Sequence, residues 1–161
     1  MRTFTKVLAV TAVAGLALTG CGRSSDSTSG STSSGSAAAA GGFAADSVIG
    51  VSLPQKTSEN WVLAEKLFND DLSGAGFKQD VQFANGGVAE QQNQIDAMIT
   101  KGAKVLVVGA IDGGQLGGQL KSAKEKGIKV IAYDRLLTNT ADVDYYIAYD
   151  NFKVGVLQGT A

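Results

Sequence analysis

The sequence predicts an α/β fold, a three-layer doubly wound parallel sheet. From Ser47 onward, short apolar runs alternate with segments of helical periodicity. The central runs are continuously apolar, which is typical of parallel strands covered on both faces. Three helical segments end in a glycine that precedes the next strand, so a β-α unit repeats about every 25 residues. Together these observations indicate a parallel sheet with helices on both faces.

The predicted strands are the five apolar runs, VIGVSL (48–53), DVQFA (80–84), KVLVVGA (104–110), KVIAY (129–133) and YYIAY (145–149). Helical stripes separate them: Ala64, Leu67, Phe68 and Leu72 form the first; Val88, Gln92, Ile95 and Ile99 the second; Leu116, Leu120 and Ala123 the third. Gly76, Gly102 and Gly127 stand where the helices should end. Glycine adopts the left-handed conformation of a helix C-cap without a Cβ penalty, so these positions predict the helix boundaries.

Composition excludes several classes of function. The 161 residues can bury one ordinary core, and a net charge of −1 argues against a nucleic-acid-binding protein. The chain has no His, which excludes imidazole ligation of a metal, and a single Cys, which excludes an internal disulfide. No G-x-S-x-G motif is present, and the glycines of DGGQLGGQL (112–120) miss both the G-x-G-x-x-G and the Walker spacing. We therefore expect no catalytic residues, no metal and no cofactor, hence no enzyme.

The N-terminus has the three regions of a secretory signal. Residues 1–20 place two basic residues before a short apolar stretch and small residues, and LTGC (18–21) resembles the lipobox of bacterial lipoproteins. Cys21 would then be lipidated and become the first residue of the mature chain; the alternative is a plain signal peptide with a chance Cys. Residues 21–46 are rich in Ser, Gly and Ala and predict a flexible tether that precedes a folded lobe at 47–161.

Polar residues follow four of the predicted strands. Asp134 and Arg135 end the fourth run abruptly, PQKTSENW (54–61) follows the first, IDGG (111–114) the third and Asp150-Asn151 the fifth. Ligands of open parallel sheets bind beyond the carboxyl ends of the strands, so these loops should meet at one edge. The alternative for Asp134 and Arg135 is a strand end that is simply hydrated.

The residue types at this edge suit a ligand that carries neighbouring hydroxyl groups. Asp134 accepts hydrogen bonds and Arg135 donates several in a fixed fork. Trp61 offers a flat apolar face for a sugar ring, and Lys56 and Asn60 add donors from the first loop. Other roles stay open: packing beneath the loop for Trp61, a solvated charge for Lys56, and an N-cap of the helix near Gly113 for Asp112.

The segments VIGVSLPQKTSENW, GAKVLVVGAIDG, GIKVIAYDRL and VDYYIAYDNFKVGVLQ together resemble periplasmic sugar-binding proteins, in particular the xylose-binding and multiple-monosaccharide-binding members that feed ABC importers. The resemblance implies that Asp134 and Arg135 grip sugar hydroxyls, that Trp61 is the aromatic of the first loop, and that Lys56 matches a lysine of the multiple-sugar group. Asn60 stands where relatives often have Arg.

The resemblance also implies an architecture and partners. Members of the family close two lobes on a monosaccharide of the xylose, glucose, galactose or arabinose class. They deliver it to a membrane permease. They run to about twice this length, and this chain stops within the helix after strand five. We therefore expect an incomplete N-terminal lobe without its second lobe, lipid-anchored on the outer face of the membrane or in the periplasm.

Three other functions compete with this prediction. A sugar-responsive LacI-type transcription repressor shares the lobe architecture, but it needs an N-terminal DNA-binding helix-turn-helix where this chain has a lipobox and tether. A lipoprotein enzyme on a doubly wound fold is disfavoured because a nucleophile and His are missing. A lipoprotein sensor that passes a sugar signal to a membrane receptor is not separable from the importer component by sequence.

Overall fold

The structure, a computed structural model, describes residues 42–161. The predicted signal peptide, Cys21 and all of the predicted tether except residues 42–46 therefore lie outside the described residues. Phe43, at the end of that tether, packs partly against the core, and the backbone N–H of Asp46 donates to the Gly76 carbonyl at 3.0 Å. The folded lobe thus includes these residues just before β1.

Within residues 42–161, five strands and four helices alternate as predicted until β4, which is followed directly by a further strand. In chain order they are β1 (Val48–Leu53), α1 (Glu59–Gly74), β2 (Lys78–Phe83), α2 (Val88–Thr100), β3 (Val105–Val108), α3 (Gly117–Glu125), β4 (Lys129–Tyr133), β5 (Tyr145–Ile147) and α4 (Asn151–Thr160). All strand pairs are parallel and the sheet order is β2-β1-β3-β4-β5. The predicted parallel α/β sheet is confirmed.

The two faces of the sheet carry separate cores, and the four residues of β3 show why. Leu106 and Val108 point to the face covered by α2 and α3, whereas Val105 and Val107 point to the face covered by α1. All four are buried, so β3 reads as a continuous apolar run. Burial of each such side chain contributes about 1.5–3 kcal/mol, which favours this three-layer arrangement.

The three predicted glycine caps are all present. Gly76, Gly102 and Gly127 have φ of 83°, 85° and 71°, in the left-handed region. After each glycine the next backbone N–H donates back to a helix carbonyl five residues earlier; for α2, Ala103 N–H donates to Met98 O at 3.1 Å. This pairing satisfies carbonyls that a helix end would leave free, and it turns the chain directly into the following strand.

Two predicted helix faces are wrong in detail. Leu67 is 49% exposed, whereas Trp61, which the predicted stripe did not include, is buried one turn before Ala64 on α1. On α2 the buried polar residue is Gln91, whereas Gln92 is only half-buried. Helical periodicity does not show which of two neighbouring glutamines is buried, because that depends on hydrogen-bond partners that are brought together only by folding.

Candidate functional site

The strand order creates a switch point at the carboxyl edge of the sheet. The chain leaves β1 toward β2 on one side, and it later enters β3 on the other side of β1. The connections after β1 and β3 therefore diverge to opposite faces and leave a crevice between them. We call Asn60, Asp134 and Arg135, which follow β1 and β4 at this edge, the rim.

Asp134 occupies a backbone conformation that L-residues rarely adopt. Its φ is 63°, its N–H donates to the Ile147 carbonyl at 2.8 Å, and its carbonyl accepts from the Tyr146 hydroxyl at 3.3 Å. These bonds to β5 hold the main chain and leave the side chain uninvolved. Among residues 42–161 the carboxylate has neither an ion pair nor a hydrogen-bond partner within the protein. The carboxylate is thus available to a ligand.

Arg135 is held by two neighbours rather than by Asp134. Its Nη1 donates to the Ala110 carbonyl at 2.8 Å, which ties the end of β4 to the loop after β3. Its guanidinium carbon lies 5.4 Å from the centre of the Trp61 ring, a cation–π geometry. A guanidinium has five N–H donors, so donors remain for a ligand after the Ala110 bond is made.

Trp61 lies beneath the rim rather than open to solvent. It is 3% exposed, meets Tyr133 edge-on at 6.2 Å between ring centres, and contacts the position of Gly109 so closely that an added Cβ would lie 3.2 Å from its ring. Only a small part of the ring is accessible, and the guanidinium of Arg135 lies over the ring. The packing role left open by the sequence is therefore real, and through Arg135 it supports the rim.

A groove of about 330 Å³ runs beside Trp61. Half of its lining is aliphatic, and the other half is polar or aromatic. The aliphatic residues are Leu63, Ala64, Leu67, Ile147 and Ala148, and the others are Asn60, Trp61, Tyr133, Asp134 and Tyr149. Burial raises the pKa of the Tyr133 hydroxyl, so this group stays protonated at neutral pH. The groove brings together Asn60, Trp61 and Asp134 of the predicted site residues.

Lys56 lies apart from this groove. Its Nζ is 3.2 Å from the Glu65 carboxylate and 4.8 Å from the centre of the Phe83 ring, and its backbone N–H donates to Asn85 Oδ1 at 3.0 Å. The side chain is 57% exposed, so the ion pair is easily exchanged for another partner. The structure does not bring Lys56 into contact with Arg135 or Asp134.

Asp112 is not the N-cap of α3, because that helix begins at Gly117 and its N-cap residue is Leu116. Instead the Asp112 carboxylate accepts from the Gly114 N–H at 2.9 Å and closes a tight turn. The glycines of this segment have a packing reason that the sequence did not show. A Cβ on Gly113 would lie 2.1 Å from the Leu136 carbonyl, so the loops after β3 and β4 touch backbone to backbone.

Gln91, on α2 behind the rim, is the residue near the candidate site that the sequence prediction missed. It is fully buried, its Nε2 donates to Ser52 Oγ at 3.1 Å and to the Gly109 carbonyl at 3.0 Å, and its Oε1 accepts from the Ile111 N–H at 2.9 Å. The available signal was the polar pair Gln91-Gln92 in the second turn of the helix that follows the second predicted strand. The pattern gave no ground for choosing the inward member.

The described part of the chain adds two negative findings. No cluster of three or more potential metal-ligating side chains occurs within residues 42–161. In the same range, no helix has both the length and the apolar character needed to cross a membrane. What the rim does offer is an unpaired carboxylate, an ordered guanidinium and a groove with aromatic and amide side chains, a set that suits a small uncharged polar ligand.

The fold defines the class as an α/β lobe whose polar edge lies at the switch point of a parallel sheet. The chain belongs to the periplasmic binding protein family, because the sequence model described as "Periplasmic binding protein domain" matches residues 49–161. The architecture is that of one lobe of a type I periplasmic binding protein. The family resemblance and fold class predicted from the sequence are both confirmed.

Several characterised relatives are similar to the chain. The multiple sugar-binding periplasmic receptor ChvE of Rhizobium radiobacter is 46% identical over 120 residues, which cover 74% of this chain and 34% of the relative. The D-xylose-binding periplasmic protein of Escherichia coli K12 is 42% identical over 118 residues, which cover 73% of this chain and 36% of the relative.

A solved structure has a similar sequence identity to this chain. An ABC transporter solute-binding protein from Clostridium phytofermentans, solved with bound β-D-glucose, has a TM-score of 0.68 and 42% identity, and the match covers 70% of this chain and 35% of that one. The matched part of the chain thus spans about a third of the length of these relatives.

Proposed function

We propose that the protein captures a monosaccharide outside the cytoplasm and delivers it to an ABC importer as the solute-binding component. The observation that carries this proposal is that two groups lie at the carboxyl end of β4: the Asp134 carboxylate, which has no partner among residues 42–161, and the ordered guanidinium of Arg135. Vicinal hydroxyls donate to the first and accept from the second, so one sugar edge satisfies both groups at once. The names of the relatives, which refer to sugar binding, support the same ligand class.

The proposed site residues are Asp134 and Arg135 at the centre, with Asn60 and the accessible part of Trp61, which line the same groove as Asp134. Arg135 does not line the groove and lies over the Trp61 ring. Lys56 and Asp112 belong to the periphery of the proposed site, because each is held by a local partner. A monosaccharide in this position is enclosed by closure of the protein around it, and the closed form is what the permease recognises. The ligand class is xylose, glucose, galactose or arabinose.

Lipidation of Cys21 would place the lobe just outside the membrane, attached through the Ser/Gly/Ala segment. The transcription-repressor alternative is not favoured, because the similar curated proteins are periplasmic sugar-binding proteins. The lipoprotein sensor remains an alternative that shares the sugar site and differs only in the membrane partner.

Calorimetric titration of the full-length protein with D-xylose, D-glucose, D-galactose and L-arabinose tests the proposal. At least one sugar should bind with a Kd in the micromolar range or tighter, and Arg135→Ala should weaken that binding by about 10-fold or more, since loss of one charge-assisted hydrogen bond costs about 1.5–3 kcal/mol. Lys121→Ala, on the exposed face of α3, is the matched control and should bind as the parent does. Absence of binding to all four sugars would refute the proposed ligand class.

A further inference from the structure

Gln91 is a buried polar side chain with no role in the proposed sugar contacts. Both Gln91 and Ser52, its partner on β1, are at most 1% exposed. A buried amide is costly unless its hydrogen bonds are made, and here both polar atoms of the Gln91 side chain have partners. An apolar residue of the same size would fill the space but leave the Gly109 carbonyl and the Ile111 N–H without these partners. The reason for a polar residue here is therefore more than packing.

The Gln91 carboxamide fixes a short backbone segment at the end of β3, and this is the further reason for a polar residue. Its Nε2 and Oε1 hold the Gly109 carbonyl and the Ile111 N–H, the two backbone groups that flank Ala110. The Gly109 N–H is held in turn by the Ser52 carbonyl at 2.9 Å. The backbone on both sides of Ala110 is thus fixed, and with it the direction of the Ala110 carbonyl.

The Ala110 carbonyl is the acceptor for Arg135 Nη1 at 2.8 Å. Gly109, on the other side, packs against the Trp61 ring over which the same guanidinium lies. The short segment that Gln91 holds therefore carries the acceptor of Arg135 and also packs against the aromatic ring under the guanidinium. The carboxamide lies behind the rim and Arg135 lies in it.

We propose that Gln91 is a positioning residue for the sugar site: it holds the segment 109–111 so that the Ala110 carbonyl and Trp61 aim the Arg135 guanidinium at the ligand. The inference rests on the proposed sugar-binding function for its last step. Its first step, that Gln91 sets the place of Arg135 on Trp61, concerns the sugar-free protein alone.

The test uses Gln91→Met, which keeps the volume and removes all three hydrogen bonds. Gln92→Met is the matched control, because Gln92 on the same helix also bonds a loop, donating to the Gln115 carbonyl at 2.7 Å, but does not hold the rim. Trp61 is the single tryptophan of the 161 residues, and its emission is isolated by subtracting the spectrum of Trp61→Phe.

In the sugar-free protein, Gln91→Met and Arg135→Ala should raise acrylamide quenching of Trp61 to a similar extent, while Gln92→Met leaves it unchanged. Gln91→Met should also weaken binding of the best sugar at least 10-fold. In the Arg135→Ala background the same change should weaken binding less than 2-fold, because Gln91 acts through Arg135.

Other outcomes overturn the proposal. Unchanged Trp61 quenching in Gln91→Met, or losses of affinity that multiply in the double variant, would mean that Gln91 is only a packing residue. If Gln91→Met does not fold, Gln91→Asn, which keeps a neutral carboxamide but is one methylene shorter and so does not hold Gly109 and Ile111 in place, goes through the same cycle under the same criteria. If the parent binds no sugar, the proposed function fails, and the quenching comparison still decides whether Gln91 places Arg135.

Discussion

Substitution of Asp134 separates a ligand-binding role from a structural one, because its carboxylate has no partner within residues 42–161 while its backbone is in the left-handed region. Alanine is a poor probe at this position, since it adds backbone strain to the loss of the carboxylate. Asp134→Gly removes the whole side chain and relieves the strain. Asp134→Asn keeps the shape and the tolerance of positive φ and removes only the charge.

The expected magnitudes follow from these features. The left-handed conformation costs an L-residue roughly 1–2 kcal/mol, and the extra freedom of glycine in the unfolded chain offsets about 0.4–1 kcal/mol of the relief. The sugar-free Asp134→Gly protein should therefore be as stable as the parent or more stable, by up to about 1.6 kcal/mol, or about 3–6 °C in Tm. Loss of two charge-assisted hydrogen bonds to the sugar costs about 3–6 kcal/mol, a weakening of about 10²–10⁴-fold.

Thermal denaturation without sugar and calorimetric titration with sugar measure the two quantities on the same variants. Asp134→Asn should keep the parent Tm and lose at least 10-fold in affinity. A sugar-free Asp134→Gly protein that melts well below the parent but still binds sugar within 10-fold would refute the reasoning, since the carboxylate would then act in the fold and not on the ligand.

Three further predictions concern other parts of the chain. Gly113→Ala should lower the Tm by several degrees, because its Cβ would lie 2.1 Å from the Leu136 carbonyl oxygen. The control Gly118→Ala, in α3, would have no atom within 4 Å of its Cβ and should be neutral or stabilising by up to about 1 kcal/mol. Equal Tm values of the two variants would contradict the close approach at Gly113. Asp144, bonded to Lys129 and the Val130 N–H, has its pKa lowered from 3.8 to about 2, so it should contribute about 1–2 kcal/mol above pH 4 that is lost as the pH falls toward 2. Denaturation curves between pH 2 and 6 should therefore converge for the parent and Asp144→Asn at the acid end, and a constant difference would rule this out. Cys21→Ser should abolish the diacylated N-terminus in mass spectra of the membrane fraction; a variant still anchored and cleaved at the same place would exclude lipidation.

The regular elements were predictable because their signals are local. The strand bounds of β1 and β4 match the apolar runs residue for residue, and Gly76, Gly102 and Gly127 lie where the helices end. In each case a few neighbouring residues decide the conformation, through continuous apolar character or through the freedom of glycine. The choice of family followed from the longer motifs that these elements carry.

The site was predictable in position but not in detail. That Asp134 and Arg135 lie at the carboxyl edge of the sheet follows from the parallel topology, and their contact with a ligand stays a prediction. The partner of Arg135 is a backbone carbonyl, which the sequence does not reveal because every residue carries one. The inward place of Gln91 depends on unpaired groups of β1 and β3 that exist only after folding. The Asp112 carboxylate accepts from the Gly114 N–H in a turn rather than capping a helix. Aspartate is equally suited to both roles, so its presence in the sequence does not distinguish them.

The turns that shape this lobe and the residues of the proposed ligand site lie at opposite edges of the sheet, which favours engineering. Gly76, Gly102 and Gly127 fix the turns at the edge where the strands begin, whereas Asp134 and Arg135 lie at the opposite edge. Exchange of the loop residues there therefore leaves the glycine turns untouched. Libraries built at rim positions on this scaffold should retain folded members at high frequency, so that selection acts on recognition of the ligand and not on survival of the fold.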